Sequence, residues 1–355
     1  MEQLGEAMIA TSEKQQRQSS GFRHVPALDG IRAVAVLLVL LAHFDPTAHY
    51  LTGGGTVGVD LFFVLSGFLI TSILLAEWSE DADINLRAFY RRRVLRLWPA
   101  LVLLLAFYAI AAPLISTVPR DHFSAALAAA LSYMNWQQAA LHGPEGFVGH
   151  AWSLSIEEQF YLVWPTLLII ILWFSRKAVT LFLAALLIGT VAWRCYLTFH
   201  GASVIRIYAG TDAHADPLLI GCLLAALTLS AIRTDRLAGA WPLPAAALLA
   251  IVLTPAWSTR WFLWEFTANG ILGAWLVAAV MQKRSGLLAG MLSSSTMVWL
   301  GRRSYGVYLW HVPMMKALTF LKLPPWPRAL LGIPISLIIA AVSYRFVEEP
   351  ILRRK

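Results

Sequence analysis

Charged residues are scarce: Asp, Glu, Lys and Arg make up 14% of the 355-residue chain, where a soluble domain carries about a quarter. Together with 58% hydrophobic residues and a mean hydropathy of +0.65, this shortage excludes an ordinary soluble protein. Cysteine is nearly absent. Cys195 and Cys222 lie in or beside apolar stretches, and their number and spacing argue against a metal site or a structural disulfide. The short alternating segments of an outer-membrane barrel are missing. No internal repeat is evident, which disfavours an inverted-repeat transporter. Met1–Ser20 is polar and mixed in charge, without the basic start and apolar core of a cleavable signal peptide. It reads as a short cytoplasmic tail, 1–22, ahead of a single transmembrane domain, 23–355.

Acidic residues are fewer than basic ones, 20 against 28. The excess gathers in short loops beside apolar runs, where it sets topology and meets anionic lipid headgroups or phosphates. No nucleic-acid motif accompanies it. The apolar runs themselves are long enough, or nearly so, to cross a bilayer of roughly 30 Å, which predicts an all-α polytopic membrane protein. Ten spans satisfy hydropathy and charge together, at about 27–46, 57–77, 97–115, 154–174, 178–197, 215–231, 240–256, 262–281, 304–321 and 329–347. Gly53 to Gly58 is read as a turn between the first two. The segments 123–136 and 287–300 are read as re-entrant or interfacial, and Trp152 and Trp173 as interface anchors of the fourth span. Both termini then lie on the cytoplasmic side.

Within the first apolar run, Arg32 and His43 are eleven residues apart. That is close to three helical turns, so both project from one face, roughly 16 Å apart along the axis. Ionisable side chains inside a span are costly unless they line a protein-enclosed cavity. The pair points to chemistry or transport within the membrane. Asp60 lies approximately level with His43, where a carboxylate fixes an imidazole tautomer or caps a helix. Arg91, Arg92, Arg93 and Arg96 form the densest basic cluster, suited to phosphate or to positive-inside anchoring. Ser153, Ser155, Glu157 and Glu158 open the fourth span. Asp212, His214 and Asp216 have the spacing of a metal site, with nothing else in its favour.

Seven stretches in order carry a resemblance: LDGIRAVAVLLVLLAH at 28–43, GVDLFFVLSGFLI at 58–70, RRRVLRLWP at 91–99, WSLSIEEQFYLVWP at 152–165, DPLLIGCLLA at 216–225, GRRSYGVYLWH at 301–311 and FVEEP at 346–350. From about Val25 to Arg354 the chain resembles acyltransferase family 3. The resemblance implies a bacterial inner-membrane enzyme that moves an acyl group, acetyl above all, from cytoplasmic acyl-coenzyme A. Acyl-coenzyme A is then a co-substrate, with no metal and no permanently bound cofactor. The implied acceptor is a hydroxyl on a sugar, glycolipid, exopolysaccharide or other cell-surface glycan, with polysaccharide-biosynthesis proteins as possible partners. A macrolide acceptor, or a secondary transporter, is the competing reading. Because the sequence ends soon after Pro350, the transfer is expected to proceed without a fused esterase-like domain.

The resemblance also distributes roles. His43 is expected to be the base that takes the acceptor proton or to carry the acyl group, with Asp60 and Glu157 beside it. Arg32, Arg93 and Arg96 are expected to hold coenzyme A phosphates. Ser153, Ser155, Asp212, His214, Asp216, Tyr305 and His311 are assigned to acceptor contact or structural support. At His214 the family commonly has arginine. The outer ends of the first, second and fourth spans are expected to bring His43, Asp60 and Glu157 together at the acceptor.

Overall fold

A computed structural model describes residues 24–45, 52–115, 119–140, 143–228, 239–254, 257–282 and 286–353. The 1–22 tail and the basic residues Arg233, Arg236, Lys283 and Arg284 lie outside the described residues. The first helix, α1 (Pro26–Phe44), starts with proline in its first turn and an acid, Asp29, near its N-terminus. Both choices favour a helix start, because the proline removes a donor that would be unpaired and the acid meets the positive end of the dipole. Next come α2 (Thr52–Asp81) and α3 (Leu86–Ile115). Two short helices, α4 (Pro119–Ala130) and α5 (Met134–Ala139), precede α6 (Ala151–Phe174) and α7 (Arg176–Phe199). Ser175 caps α7 by accepting from the Ala178 amide at 3.1 Å, which satisfies one of the open donors at a helix start.

The second half contains α8 (Val204–Ala209), α9 (Thr211–His214), α10 (Asp216–Thr228), α11 (Pro242–Val252) and α12 (Thr259–Gln282). It closes with α13 (Leu287–Leu292), α14 (Ser295–Phe320), α15 (Pro325–Ser343), a π-helical turn (Tyr344–Glu348) and α16 (Glu349–Leu352). Helix α2 is the most enclosed and packs on α1, α10, α11, α12 and α6. Helix α14 packs on α1, α15 and α3. Apolar side chains such as Phe174, Leu181, Ile188, Leu330 and Phe346 stand exposed on the periphery, as a lipid-facing surface requires.

Among the described residues seven helices are long and apolar enough to cross a membrane. Three of the ten expected spans fall short of that description. The sixth is α10, with 13 residues, and the seventh is α11, with 11. The ninth lies in α14, which is long but carries Arg302, Arg303, His311 and Lys316. Two local expectations also change, those for Gly53 to Gly58 and for Trp152. Gly53 to Gly58 is helix rather than turn, because these glycines admit neighbouring backbones. A methyl on Gly58 would stand 2.5 Å from the Ala35 carbonyl, and one on Gly53 2.5 Å from that of Ile251. The 287–300 segment divides into α13 and the first turns of α14. Trp152 is only 7% exposed and stacks beside His214 at 5.7 Å, so the interior rather than the interface holds it.

Candidate active site

At the end of the bundle where His24 and Leu352 lie, α1, α2, α3, α6 and α14 surround a cavity of about 500 Å3. Arg32 enters it from α1, and Arg93 and Arg96 from the first turns of α3. The acids around it are satisfied. Asp29 accepts from His24 Nε2 at 2.8 Å and pairs with Arg302 at 3.5 Å. Glu157 accepts from Ser66 Oγ at 2.6 Å, Ser66 in turn accepts from the Tyr161 hydroxyl at 2.9 Å, and Glu348 accepts from Ser343 at 3.1 Å. The π-helical turn contributes Tyr344 and Glu348 to this wall. The three arginines are different. Among the described residues none of them forms an ion pair, and the Nε of both Arg32 and Arg93 is buried without a hydrogen-bond partner. Arg93 rests against the rings of Phe89 and Tyr161, at 5.5 and 5.3 Å. Half-buried cations held without an ion pair are costly, so this cavity suits an anion.

A second cavity of about 370 Å3 lies farther along α1, with His43, His150, Trp152, Tyr208, Trp257 and Lys316 in its wall. Val59 and Tyr308 line both cavities and form the partition between them. The Tyr308 hydroxyl donates to the His150 carbonyl at 2.9 Å and accepts from Ser153 Oγ at 2.5 Å. Its ring is thereby tied to the start of α6.

Three imidazoles adjoin this partition. The His43 and His311 rings are 4.7 Å apart edge to face, and His311 and His150 are 5.2 Å apart. Each ring bonds a backbone carbonyl through one nitrogen: His43 Nδ1 to Val39 (2.9 Å), His150 Nε2 to Leu309 (3.0 Å) and His311 Nδ1 to Tyr308 (2.6 Å). A carbonyl only accepts, so those nitrogens carry the protons and the opposite nitrogen of each ring offers a lone pair. In His43 that is Nε2, the atom a proton acceptor needs. Burial pushes His150 down to about 3, with His43 acting in the same direction.

Asp60 does not reach His43. Its Oδ1 accepts from His214 Nε2 at 2.8 Å and its Oδ2 from Asn269 Nδ2 at 2.8 Å, all fully buried. The Asp-x-His-x-Asp segment diverges rather than converging on a metal. His214 turns to Asp60. Asp216 forms a two-point pair with the fully buried Arg194, at 2.7 and 3.0 Å, reinforced by Thr267. Asp212 faces outward to Arg206 and to Trp193 Nε1 at 2.7 Å. Its partial burial, which would raise the carboxyl, is outweighed by these bonds, and it is held below the usual carboxylate range.

The structure therefore brings Arg32, Arg93, Arg96, Glu157, Ser153 and Tyr305 to one cavity, with the Tyr305 hydroxyl donating to the Leu97 carbonyl at 3.0 Å. It puts His43 in the other, with His311 behind it. Glu157 stands on the arginine side, not beside His43. Ser155 bonds the Ala151 carbonyl of its own helix at 3.0 Å, and Glu158 turns away to Ser132 at 2.6 Å. Sequence reading missed His150, Tyr308 as partition, Arg194, and Glu265, whose two carboxyl oxygens are buried without a partner among the described residues. Arg194 and Glu265 carried a usable signal, an ionisable side chain inside an apolar run.

The Acyltransferase domain family model matches residues 25–345. The chain is 32% identical to the peptidoglycan O-acetyltransferase OatA of Listeria monocytogenes, over 93% of this chain and 56% of that protein. It is 34% identical to the putative peptidoglycan O-acetyltransferase YrhL of Bacillus subtilis, over 93% of this chain and 55% of the relative. A putative O-acetyltransferase of Staphylococcus aureus is 32% identical, over 92% and 57%. The chain thus spans little more than half the length of these relatives. No solved structure matches. A family match across nearly all of the described bundle, over a cavity of unpaired arginines adjoining a histidine cluster, establishes that the chain belongs to acyltransferase family 3.

Proposed function

We propose that this chain transfers an acetyl group from acetyl-coenzyme A to a hydroxyl of a cell-envelope glycan. The observation that carries the reading is the trio Arg32, Arg93 and Arg96, which faces one cavity without ion-pair partners among the described residues. Guanidinium forks suit the diphosphate and 3′-phosphate of coenzyme A. The donor enters from the side on which the termini lie, taken as the cytoplasm, with both termini there and the chain in the inner membrane. Arg32 and His43 are eleven residues apart on one helix, roughly 16 Å, a distance that a pantetheine arm spans past Val59 and Tyr308. The acceptor hydroxyl then attacks the thioester carbonyl. A C–O bond forms, the C–S bond breaks, His43 Nε2 takes the hydroxyl proton, and that proton leaves with the thiolate as the coenzyme A thiol. Two of the relatives named above act, by name, on peptidoglycan, which supports a glycan acceptor over a macrolide.

Two measurements on the purified chain test this. Arg93→Ala and Arg96→Ala should each weaken coenzyme A binding about tenfold or more, the loss of a charge-assisted phosphate contact. His43→Ala should leave that affinity nearly unchanged while acetyl transfer falls below about one tenth of the parent. Unchanged coenzyme A affinity in both arginine variants would assign the cluster to topology instead, and a parent that never accepts label from acetyl-coenzyme A would favour a transporter.

A further inference from the structure

The cavity around His43 has a chemical character of its own. Trp152, Tyr208 and Trp257 form a continuous run of rings along its wall, with centroids 4.5 and 4.6 Å apart. The run begins with Trp152 buried at 7% exposure and ends with Trp257 at 52%, so the rings rise from the partition toward the cavity mouth. Phe262 braces Trp257 edge to face at 5.0 Å. Nearby Trp261 and Trp264 pack on each other at 4.5 Å and line neither cavity. They fit an interfacial belt; Trp257 instead lines the cavity.

Polar groups around the rings are uncommitted. The Tyr208 hydroxyl has no hydrogen-bond partner among the described residues, and Glu145 and Lys316, both in the cavity wall, form no ion pair there. Gln138 donates to the Gly149 carbonyl at 2.8 Å, which leaves its own carbonyl oxygen as an acceptor. An aromatic face edged by free donors and acceptors matches a molecule with an apolar flat face and hydroxyls around its rim. An acyl chain has no use for the rim, and a phosphate has no use for the rings. A pyranose uses both.

We infer that Trp257 and Tyr208 form the acceptor shelf, on which a pyranose ring stacks with one hydroxyl directed toward His43. Both are specificity-determining residues of the acceptor half of the reaction. The inference rests on the proposed acetyl transfer to a glycan and adds the surface that recognises the sugar.

The test uses cells lacking this protein and complemented with the full chain or its variants at equal membrane abundance. Base-labile acetate on the envelope glycan reports transfer, and coenzyme A titration of each purified chain reports the donor side. Trp257→Ala should lower glycan acetate about tenfold or more, while coenzyme A affinity stays within about twofold, because only the stacking face is lost. Trp257→Phe keeps a ring and should retain at least about a third of the parental acetate. Parental acetate levels in Trp257→Ala would overturn the shelf and leave the proposed function standing. Equal loss of acetate and of coenzyme A affinity in both variants would assign Trp257 to folding and also overturn it. A parent chain that adds no acetate would remove the proposed function, and the shelf with it.

Discussion

His150 is neutral where it sits, and that makes it a liability in acid. Its ordinary value is 6.5, and burial pushes it to about 3 in the folded protein. Above about 6.5 both folded and unfolded chains hold a neutral ring, and pH has no effect through this residue. Below that, the unfolded chain takes up a proton that the folded chain refuses. Stability should fall as pH drops from 6.5 toward 3, by at most about 5 kcal/mol. Thermal unfolding in detergent between pH 7 and pH 4 checks the slope. His150→Gln, whose amide still donates to the Leu309 carbonyl, should flatten it; an equally steep decline would clear His150 of the effect. A different cost attaches to Arg194. Removing it leaves Asp216 as an uncompensated buried carboxylate, so Arg194→Leu should destabilise by about 3–5 kcal/mol. Glu265 forms no ion pair among the described residues. Glu265→Gln should leave both stability and transfer close to parental levels, which the same unfolding and transfer measurements read.

Helix α2 and helix α10 cross through reciprocal glycines. A methyl on Gly67 would fall onto the Leu218 carbonyl, and one on Gly221 onto that of Val64. Only backbone stands there, and backbone cannot rotate aside, so Gly67→Val should force the helices apart. Because α10 carries Asp216 and follows directly on His214, the expected outcome is reduced membrane abundance of folded protein, read by gel-filtration recovery. Small residues at helix crossings are the usual device in membranes. Hydropathy revealed the long spans because composition alone determines whether a helix tolerates lipid. Pairings were harder. Asp60 and His43 stand level in sequence, yet Asp60 joins His214 from α9 and Asn269 from α12, 154 and 209 positions away. A span does not state which way its side chains rotate about the axis relative to distant helices. The apolar helices α10 and α11, read from hydropathy as full spans, are described over 13 and 11 residues, because hydropathy averages over neighbours and does not mark helix ends. Arg32, Arg93 and Arg96 were grouped through the family resemblance, since they lie on two different helices and no spacing links them.

At the scale of the whole molecule, two cavities end on a shared partition, Val59 and Tyr308. One is rich in unpaired guanidiniums and the other in imidazole and aromatic rings. Under the proposed function, donor and acceptor approach from opposite faces of the membrane, with the acyl group the only part that changes sides. An impermeant thiol reagent should accordingly reach a cysteine placed at Lys316 from the face opposite the termini, once Cys195 and Cys222 are replaced; labelling from the terminal side alone would reverse the orientation. Sided access to donor tests the account most directly. In sealed proteoliposomes sorted by orientation and supplied with labelled acetyl-coenzyme A on the outside, together with envelope glycan on both sides, label should enter the glycan only when the arginine-lined mouth faces outward. Equal transfer in both orientations, or transfer only when the His43 cavity faces the donor, would contradict it.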